Sequence, residues 1–377
     1  MSNPLDNVRL RANPGYKAVT WNRLAPEARQ SLEVDADSFG VLMPNDGHDL
    51  PVVAIDRDTA LLFLSLQEPG PAPDFLFAMT EGEADRVLRR LILDSVLQLE
   101  DADQFISGAD ACARLGRDGS VAAGRLAQLS IDALSYATTL IDADATTVAR
   151  KLYSYNRRPL TMSMRRRLPD KAACQAFLGL VEGQETARAI ARLWSRGSDD
   201  AHWVMFTRRQ PQRQRTEQSC KLYVGLRFEE LRECLPVIAD ALAAGGATEF
   251  KIGADLDGLL RADKLVAYFP SKETLSTAAH ALTPSLSNRS VHAVPFSAEI
   301  ADAGALSWGM DPANAWFGDR ISWRQWICEK LGAALVAARS TTTSSGVAPW
   351  EFALERLRLD GVDTSTFMPM GNWSGAT

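Results

Sequence analysis

Residues 1–50 carry no sustained hydrophobic period and are rich in turn formers. The first β-like runs fall at 51–55 and 60–66, just ahead of the breaker run Glu68-Pro69-Gly70-Pro71-Ala72-Pro73. They read as a β-hairpin leading into a hinge. Beyond it the period lengthens: Ala84, Val87, Leu88, Leu91, Ile92, Val96 and Leu99 recur at helical spacing and predict a helix over 81–99. Comparable patterns predict helices over 122–140, 144–153, 172–180 and 186–194, and the polar run from Ser195 to Asp200 is the best domain boundary.

After that boundary the texture changes. Short β-like runs at 202–206, 220–226, 250–252, 264–269 and 291–295 are separated by helical stretches, which reads as α+β or α/β. A helix over 228–244 ends at Gly245-Gly246, one over 322–338 has Ser322 as its N-cap, and 340–346 is a polar loop. No internal repeat is visible.

A length of 377 residues suits two domains, and 46% apolar with 23% charged residues excludes disordered, fibrous and membrane classes. No apolar run approaches the roughly 18 residues that cross a bilayer, and the polar N-terminus lacks a signal-peptide h-region, so the expected location is the cytoplasm with no membrane partner. Against 41 Lys and Arg stand 47 Asp and Glu, a net charge of −6, which disfavours nucleic acid. Two segments are nonetheless basic: Arg157 to Lys171, and Arg208 to Lys221. The five cysteines form no C-x-x-C pair and the four histidines no ligand spacing, so no metal is expected. P-loop, G-x-G-x-x-G and G-x-S-x-G patterns are absent.

Candidate chemistry lies in the second half. A strand period of two puts Lys221 and Tyr223 on one face, Lys251 sits between Phe250 and Ile252, and Arg261 and Lys264 precede the run that carries Tyr268. A strand lysine among apolar neighbours is desolvated towards a neutral amine able to act as a base, and neighbouring cations can hold a phosphate. Outward-facing strand residues and ion pairs of Arg261 or Lys264 with Asp263 are the plainer alternative.

The blocks Cys220-Lys-Leu-Tyr-Val224, Phe250-Lys-Ile-Gly-Ala-Asp255, Leu260 to Phe269, Pro295-Phe296, Leu306 to Pro312 and Ser322-Trp-Arg324 resemble the HopA-type effector-like proteins encoded beside bacterial peptide-modification genes. More distantly, Lys-x-Tyr, then Phe-Lys, then Arg is similar to the phosphothreonine lyase layout. The pattern of the first half gives a mainly helical N-terminal region over 1–195 with a β-hairpin, for docking or scaffolding, and the resemblance, which covers roughly 203–363, implies a lyase-like domain with a mostly antiparallel sheet over 196–377, so the whole is expected to be α+β. It implies a role in lanthipeptide or thioamitide maturation, in which a partner Ser/Thr kinase phosphorylates a precursor peptide. Phosphate would then leave by β-elimination to give dehydroalanine or dehydrobutyrine, with no cofactor. Carried over by residue, Lys251 would be the base, Lys221 and Arg261 would hold the phosphate, and Tyr268 would contact substrate, with Lys264, Arg320 and Arg324 as further ligands. Tyr223 stands where the lyases have a histidine, so the general acid is Tyr223, His292 or none. Trp308, Trp323 and Trp326 either line a peptide groove or pack in the core. A catalytically silent partner of the kinase or the precursor is the alternative function.

Overall fold

A computed structural model describes residues 5, 8–25, 29, 38–48, 50–80, 82–115, 122–197, 202–209, 220–300, 304–312, 321–339 and 346–370. The protein is α+β and divides into two compact units, Met1–Gly119 with Ala334–Leu359, and Ser120–Ala333 with Asp360–Thr377.

The first unit is less helical than its sequence pattern suggests. It contains strands β1 (Leu10–Ala12), β2 (Tyr16–Thr20), β3 (Ser38–Pro44), β4 (Val53–Asp56), β5 (Leu97–Asp101) and β6 (Gln104–Ile106), paired as antiparallel sheets β1-β5-β6 and β2-β3-β4. The expected strand at 60–66 is instead part of a helix, Arg57–Ser65. Asp56 caps it, Oδ1 accepting from the Thr59 N–H at 2.7 Å, and Leu62 and Phe63 are buried while Leu61 and Leu64 face outward. The helix expected over 81–99 stops at Leu93, because Ser95 turns the chain at φ 59° into β5, where Leu97 and Leu99 pair with Ala12 and Leu10. Leu10, Phe63, Leu88, Ile92 and Leu97 share a core with Phe352 and Leu359 of the returning segment.

The second unit is built on a seven-stranded sheet in the order β12-β13-β9-β11-β10-β8-β7, every neighbouring pair antiparallel. Its strands are β7 (Trp194–Arg196), β8 (Trp203–Arg208), β9 (Cys220–Val224), β10 (Glu249–Gly253), β11 (Leu265–Phe269), β12 (Ala298–Glu299) and β13 (Leu306–Met310), with a hairpin of β14 (Val362–Asp363) and β15 (Met368–Pro369) besides. The expected boundary at 195/196 therefore falls inside β7, which is hydrogen-bonded to β8, and the helices between Arg125 and Ala191 belong with the sheet. Residues 291–295 form no strand, only a bridge between Val291 and Leu226.

One sheet face is apolar. Leu222, Val224, Phe250, Ile252, Ala267 and Phe269 pack with Leu231, Leu235, Ile238 and Leu242 of the helix Phe228–Ala244 and with Leu275 and Leu282 of the helix Lys272–Leu286. The opposite face holds the candidate chemistry. Over β13 lies Trp323, the first residue of the helix Trp323–Ala337, so close that a Cβ at Gly309 would sit 2.2 Å from its Cδ1. Trp308, Trp323 and Trp326 are all buried, the last two stacked at 6.0 Å, so these tryptophans are core and not a peptide groove. Among the described residues no helix is long and apolar enough to cross a membrane, and no group of three or more His, Cys, Asp and Glu side chains is placed to hold a metal ion.

Candidate functional site

Strand register gathers the polar residues. Lys251 of β10 pairs with Val266 of β11, which pairs with Tyr223 of β9, so these three share a cross-strand row on one face. The adjacent row on that face is Glu249, Tyr268, Lys221 and Gly309. Trp203 enters at the start of β8, two residues from Met205, the β8 partner of Lys251.

Cations and aromatic rings alternate across this face. The Arg324 guanidinium lies 4.7 Å and that of Arg261 5.5 Å from the Tyr153 ring. Arg261 is 5.0 Å and the Lys251 ammonium 4.3 Å from the Trp203 ring. Lys251 is 5.8 Å and Lys221 5.3 Å from the Tyr268 ring. Each ring draws two cations to its π-system, which places like charges closer together than water-exposed side chains would settle.

A buried carboxylate anchors one end of the ladder. Asp263 accepts from Arg261 Nε at 2.9 Å and Nη2 at 3.0 Å, accepts from the Tyr153 hydroxyl at 3.1 Å, and pairs with Arg324 Nη1 at 2.8 Å. Burial alone would raise the Asp263 carboxyl, but the Arg324 charge and the Arg261 hydrogen bonds hold it well below the usual carboxylate range. Arg324 is fully buried and also donates to Pro295 O and Tyr153 O, both at 2.9 Å. It is a brace for Asp263, not an open ligand. Arg261 is fixed along its Nε–Nη2 edge while part of its side chain reaches solvent.

The other end is anchored by Asp311. Its Oδ2 lies 2.6 Å from Lys221 Nζ, and its Oδ1 accepts from the Trp323 N–H at 2.8 Å, capping the helix that starts there. Tyr223 stands two residues from Lys221 on β9 and in the row of Lys251, and its phenol is pushed well above its ordinary range by burial and by the Asp311 charge and so stays protonated. The same causes raise Tyr268.

Lys264 and His292 belong to a separate buried cluster. Lys264 Nζ donates to Leu226 O at 2.9 Å and Ala262 O at 3.3 Å and lies 2.8 Å from His292 Nδ1. His292 Nε2 lies against Asn156 O. A carbonyl only accepts, so Nε2 carries the hydrogen and Nδ1 accepts from Lys264. Burial lowers Lys264 to about 7, and burial with the Lys264 charge lowers His292 to about 4. Both ring nitrogens of His292 are thus engaged internally, and Lys264 has no exposed surface. Arg320 lies outside the described residues.

A pH prediction follows. Between pH 4 and 6.5 the unfolded chain protonates His292 while the folded protein does not, so stability rises with pH across this window and falls on acidification, by up to about 3 kcal/mol. Thermal unfolding at pH 4.5 and 7 should show that loss in the wild type and much less of it in His292→Gln, whose amide can still accept from Lys264 and donate to Asn156; equal slopes would refute it.

The structure brings together Lys221, Lys251, Arg261, Tyr223 and Tyr268 of the residues expected from the sequence. Trp203, Tyr153 and Asp311 lie among them and were not singled out from the sequence. Trp203 was legible as a strand residue in phase with the Lys251 row, whereas Tyr153 comes from the helix Ala145–Tyr153, 110 positions from Asp263, with no local signal.

No protein-family model matches this chain, and no curated protein matches it. Among solved structures it is similar to the effector protein from Pseudomonas syringae pv. syringae strain 61, at 12% identity over 66% of this chain and 100% of the other, with a TM-score of 0.36. It is also similar to the effector protein from Pseudomonas syringae pv. tomato strain DC3000, at 12% identity over 66% of this chain and 99% of the other, with a TM-score of 0.41.

Proposed function

We propose that the second unit is a lyase that removes phosphate by β-elimination from phosphoserine or phosphothreonine of a ribosomally made precursor peptide. A partner Ser/Thr kinase of the same pathway supplies the phosphate. The observation that carries this reading is the convergence of Lys221, Lys251 and Arg261 on the Trp203 and Tyr268 rings of one sheet face. The sequence resemblance to HopA-type proteins points the same way.

In this reading the Lys251 amine takes the Cα proton. The electrons of that C–H bond form the Cα=Cβ double bond, the Cβ–O bond breaks, and the phosphate departs with its electron pair. Lys221 and Arg261 meet the charge that builds on the phosphate oxygens. Tyr223, protonated at neutral pH, supplies a hydrogen bond to the same oxygens. This chemistry asks for neither metal nor organic cofactor.

The test is mass spectrometry of a phosphothreonyl precursor peptide incubated with the whole protein. The expected result is loss of one phosphoric acid from the peptide, with a dehydrobutyrine in its place. Release of phosphate with an intact threonine would show hydrolysis and overturn the reading. A second reading, a non-catalytic protein that holds the phosphopeptide or its kinase, is favoured by one observation: the internal engagement of both His292 nitrogens leaves that imidazole unable to protonate a leaving group. Binding with no mass change, with and without the kinase, would select it.

A further inference from the structure

Lys221 is 7% exposed, and its ammonium is already occupied: Asp311 Oδ2 holds it at 2.6 Å. An ammonium this buried needs an anion beside it, and Asp311 supplies one in the ligand-free protein. Asp311 is not loosely placed, since its Oδ1 accepts from the Trp323 N–H at 2.8 Å and so ties the carboxylate to the start of a helix. The remaining cations of the face, Lys251 and Arg261, lie on the Tyr268 and Trp203 rings, Lys251 sharing the Tyr268 ring with Lys221. Any anion that enters must therefore compete with Asp311 for Lys221.

We propose that Asp311 is a specificity-determining residue that reserves Lys221 for a phosphate dianion and rejects carboxylate ligands. The inference rests on the phosphate-binding part of the reading above. A glutamate or aspartate side chain that displaced Asp311 would exchange one carboxylate–ammonium pair for another, and the displaced carboxylate is tethered at high effective concentration, so the exchange yields nothing. A phosphoryl group carries about −1.5 to −2 charges and three acceptor oxygens, and it can engage Lys221 and Arg261 together, so it gains more than Asp311 loses. Asp311 thereby excludes the acidic residues that commonly imitate phosphorylated ones, a selectivity achieved by repelling the wrong ligand.

Asp311→Asn removes the charge and keeps an Oδ1 that can cap Trp323. The experiment is calorimetric titration of the whole protein, wild type and D311N, with a phosphothreonyl peptide and with the same peptide carrying glutamate in place of phosphothreonine. Lys251→Ala serves as the background so that the peptide is not consumed. The expected result is that wild type binds only the phosphopeptide, whereas D311N gains about tenfold or more for the glutamate peptide, equivalent to ~1.4 kcal/mol. In Lys221→Met/D311N that gain is absent, since it passes through Lys221. Unchanged discrimination in D311N would overturn the inference and leave the lyase reading standing. The gain in D311N without any mass loss from the phosphopeptide in wild type would support the inference and remove the lyase reading. No binding by either form would overturn the inference together with the phosphate site. Should D311N fold only in the presence of an anion, inorganic phosphate and acetate both restoring it would support the inference, and neither restoring it would overturn it.

Discussion

Lys251→Ala is expected to lower the rate of phosphate elimination by about 10²–10⁴-fold, the range that a positioned general base contributes. It should do so with phosphopeptide affinity reduced far less, because Lys221 and Arg261 are anchored independently of Lys251 by Asp311 and Asp263. Lys251 is half-buried on the middle strand row, near both the Trp203 and Tyr268 rings, so its side chain is held where a substrate on this face would be reached. Lys251→Arg discriminates the role. A guanidinium keeps the charge and the ring contacts but does not deprotonate at any accessible pH, so it should bind phosphopeptide and remain inactive. Single-turnover rates and binding constants for wild type, Lys251→Ala and Lys251→Arg give the two readouts separately. Elimination by Lys251→Arg at close to the wild-type rate would show that Lys251 is a phosphate ligand and that the base lies elsewhere.

Asp263→Ala is the substitution with the largest expected effect on stability. It leaves the fully buried Arg324 and the partly buried Arg261 with no carboxylate between them, and breaking a buried ion pair from one side costs about 3–5 kcal/mol. Against a typical total of about 5–15 kcal/mol, that is enough to unfold a large share of the molecules at physiological temperature. Urea denaturation should show the midpoint falling with little change in slope. Arg324→Met combined with Asp263→Ala should recover part of the loss, since one of the stranded charges is then gone, and the departure from additivity measures the pair. The sign with pH is fixed by the same charges. A carboxyl held below its usual range contributes stability that is present above pH about 4 and lost progressively as pH falls. The difference between wild type and Asp263→Ala should therefore shrink in acid. A stability within about 0.5 kcal/mol of wild type, near the additivity error of such comparisons, would show that the two arginines are solvated or paired elsewhere.

Local pattern carried much of the fold. The helix Phe228–Ala244 was readable to its last residue because its apolar positions keep helical phase and Gly245-Gly246 ends it, Gly246 taking φ 88°. The shared face of Lys221 and Tyr223 followed from strand alternation alone. The run at 60–66 misled because a short, continuous apolar stretch suits a buried strand and a buried helix equally, and the arbiter was the polar Asp56 cap outside it. The β1, β2 and β3 strands were invisible within a polar, turn-rich stretch: β1 finds its partner in β5 and β3 its second partner in β4, both beyond that stretch, and β2 and β3 pair with each other across a long connection and not a short hairpin turn. At the site, sequence could name the cations but not sort them. Arg324 and Lys264 look as able to bind phosphate as Arg261 does, and what withdraws them is a set of backbone carbonyls, Pro295, Tyr153, Leu226 and Ala262, that no side-chain motif records.

The discontinuity of the first unit bears on how the protein is made. Its stretch up to Gly119 leaves the ribosome well before Phe352 and Leu359, which complete its core. At about 5–20 residues per second, the nascent chain waits roughly 10–50 s between the two events. Through that interval Phe63, Leu88 and Ile92 lack part of their packing, while the larger part of the sheet-bearing unit, Ser120 to Ala333, is synthesised, and that unit in turn waits for its own closing segment from Asp360 on. Both units thus close only once their later segments are made, and the core of the first unit, whose opening stretch is synthesised earlier, waits longer exposed.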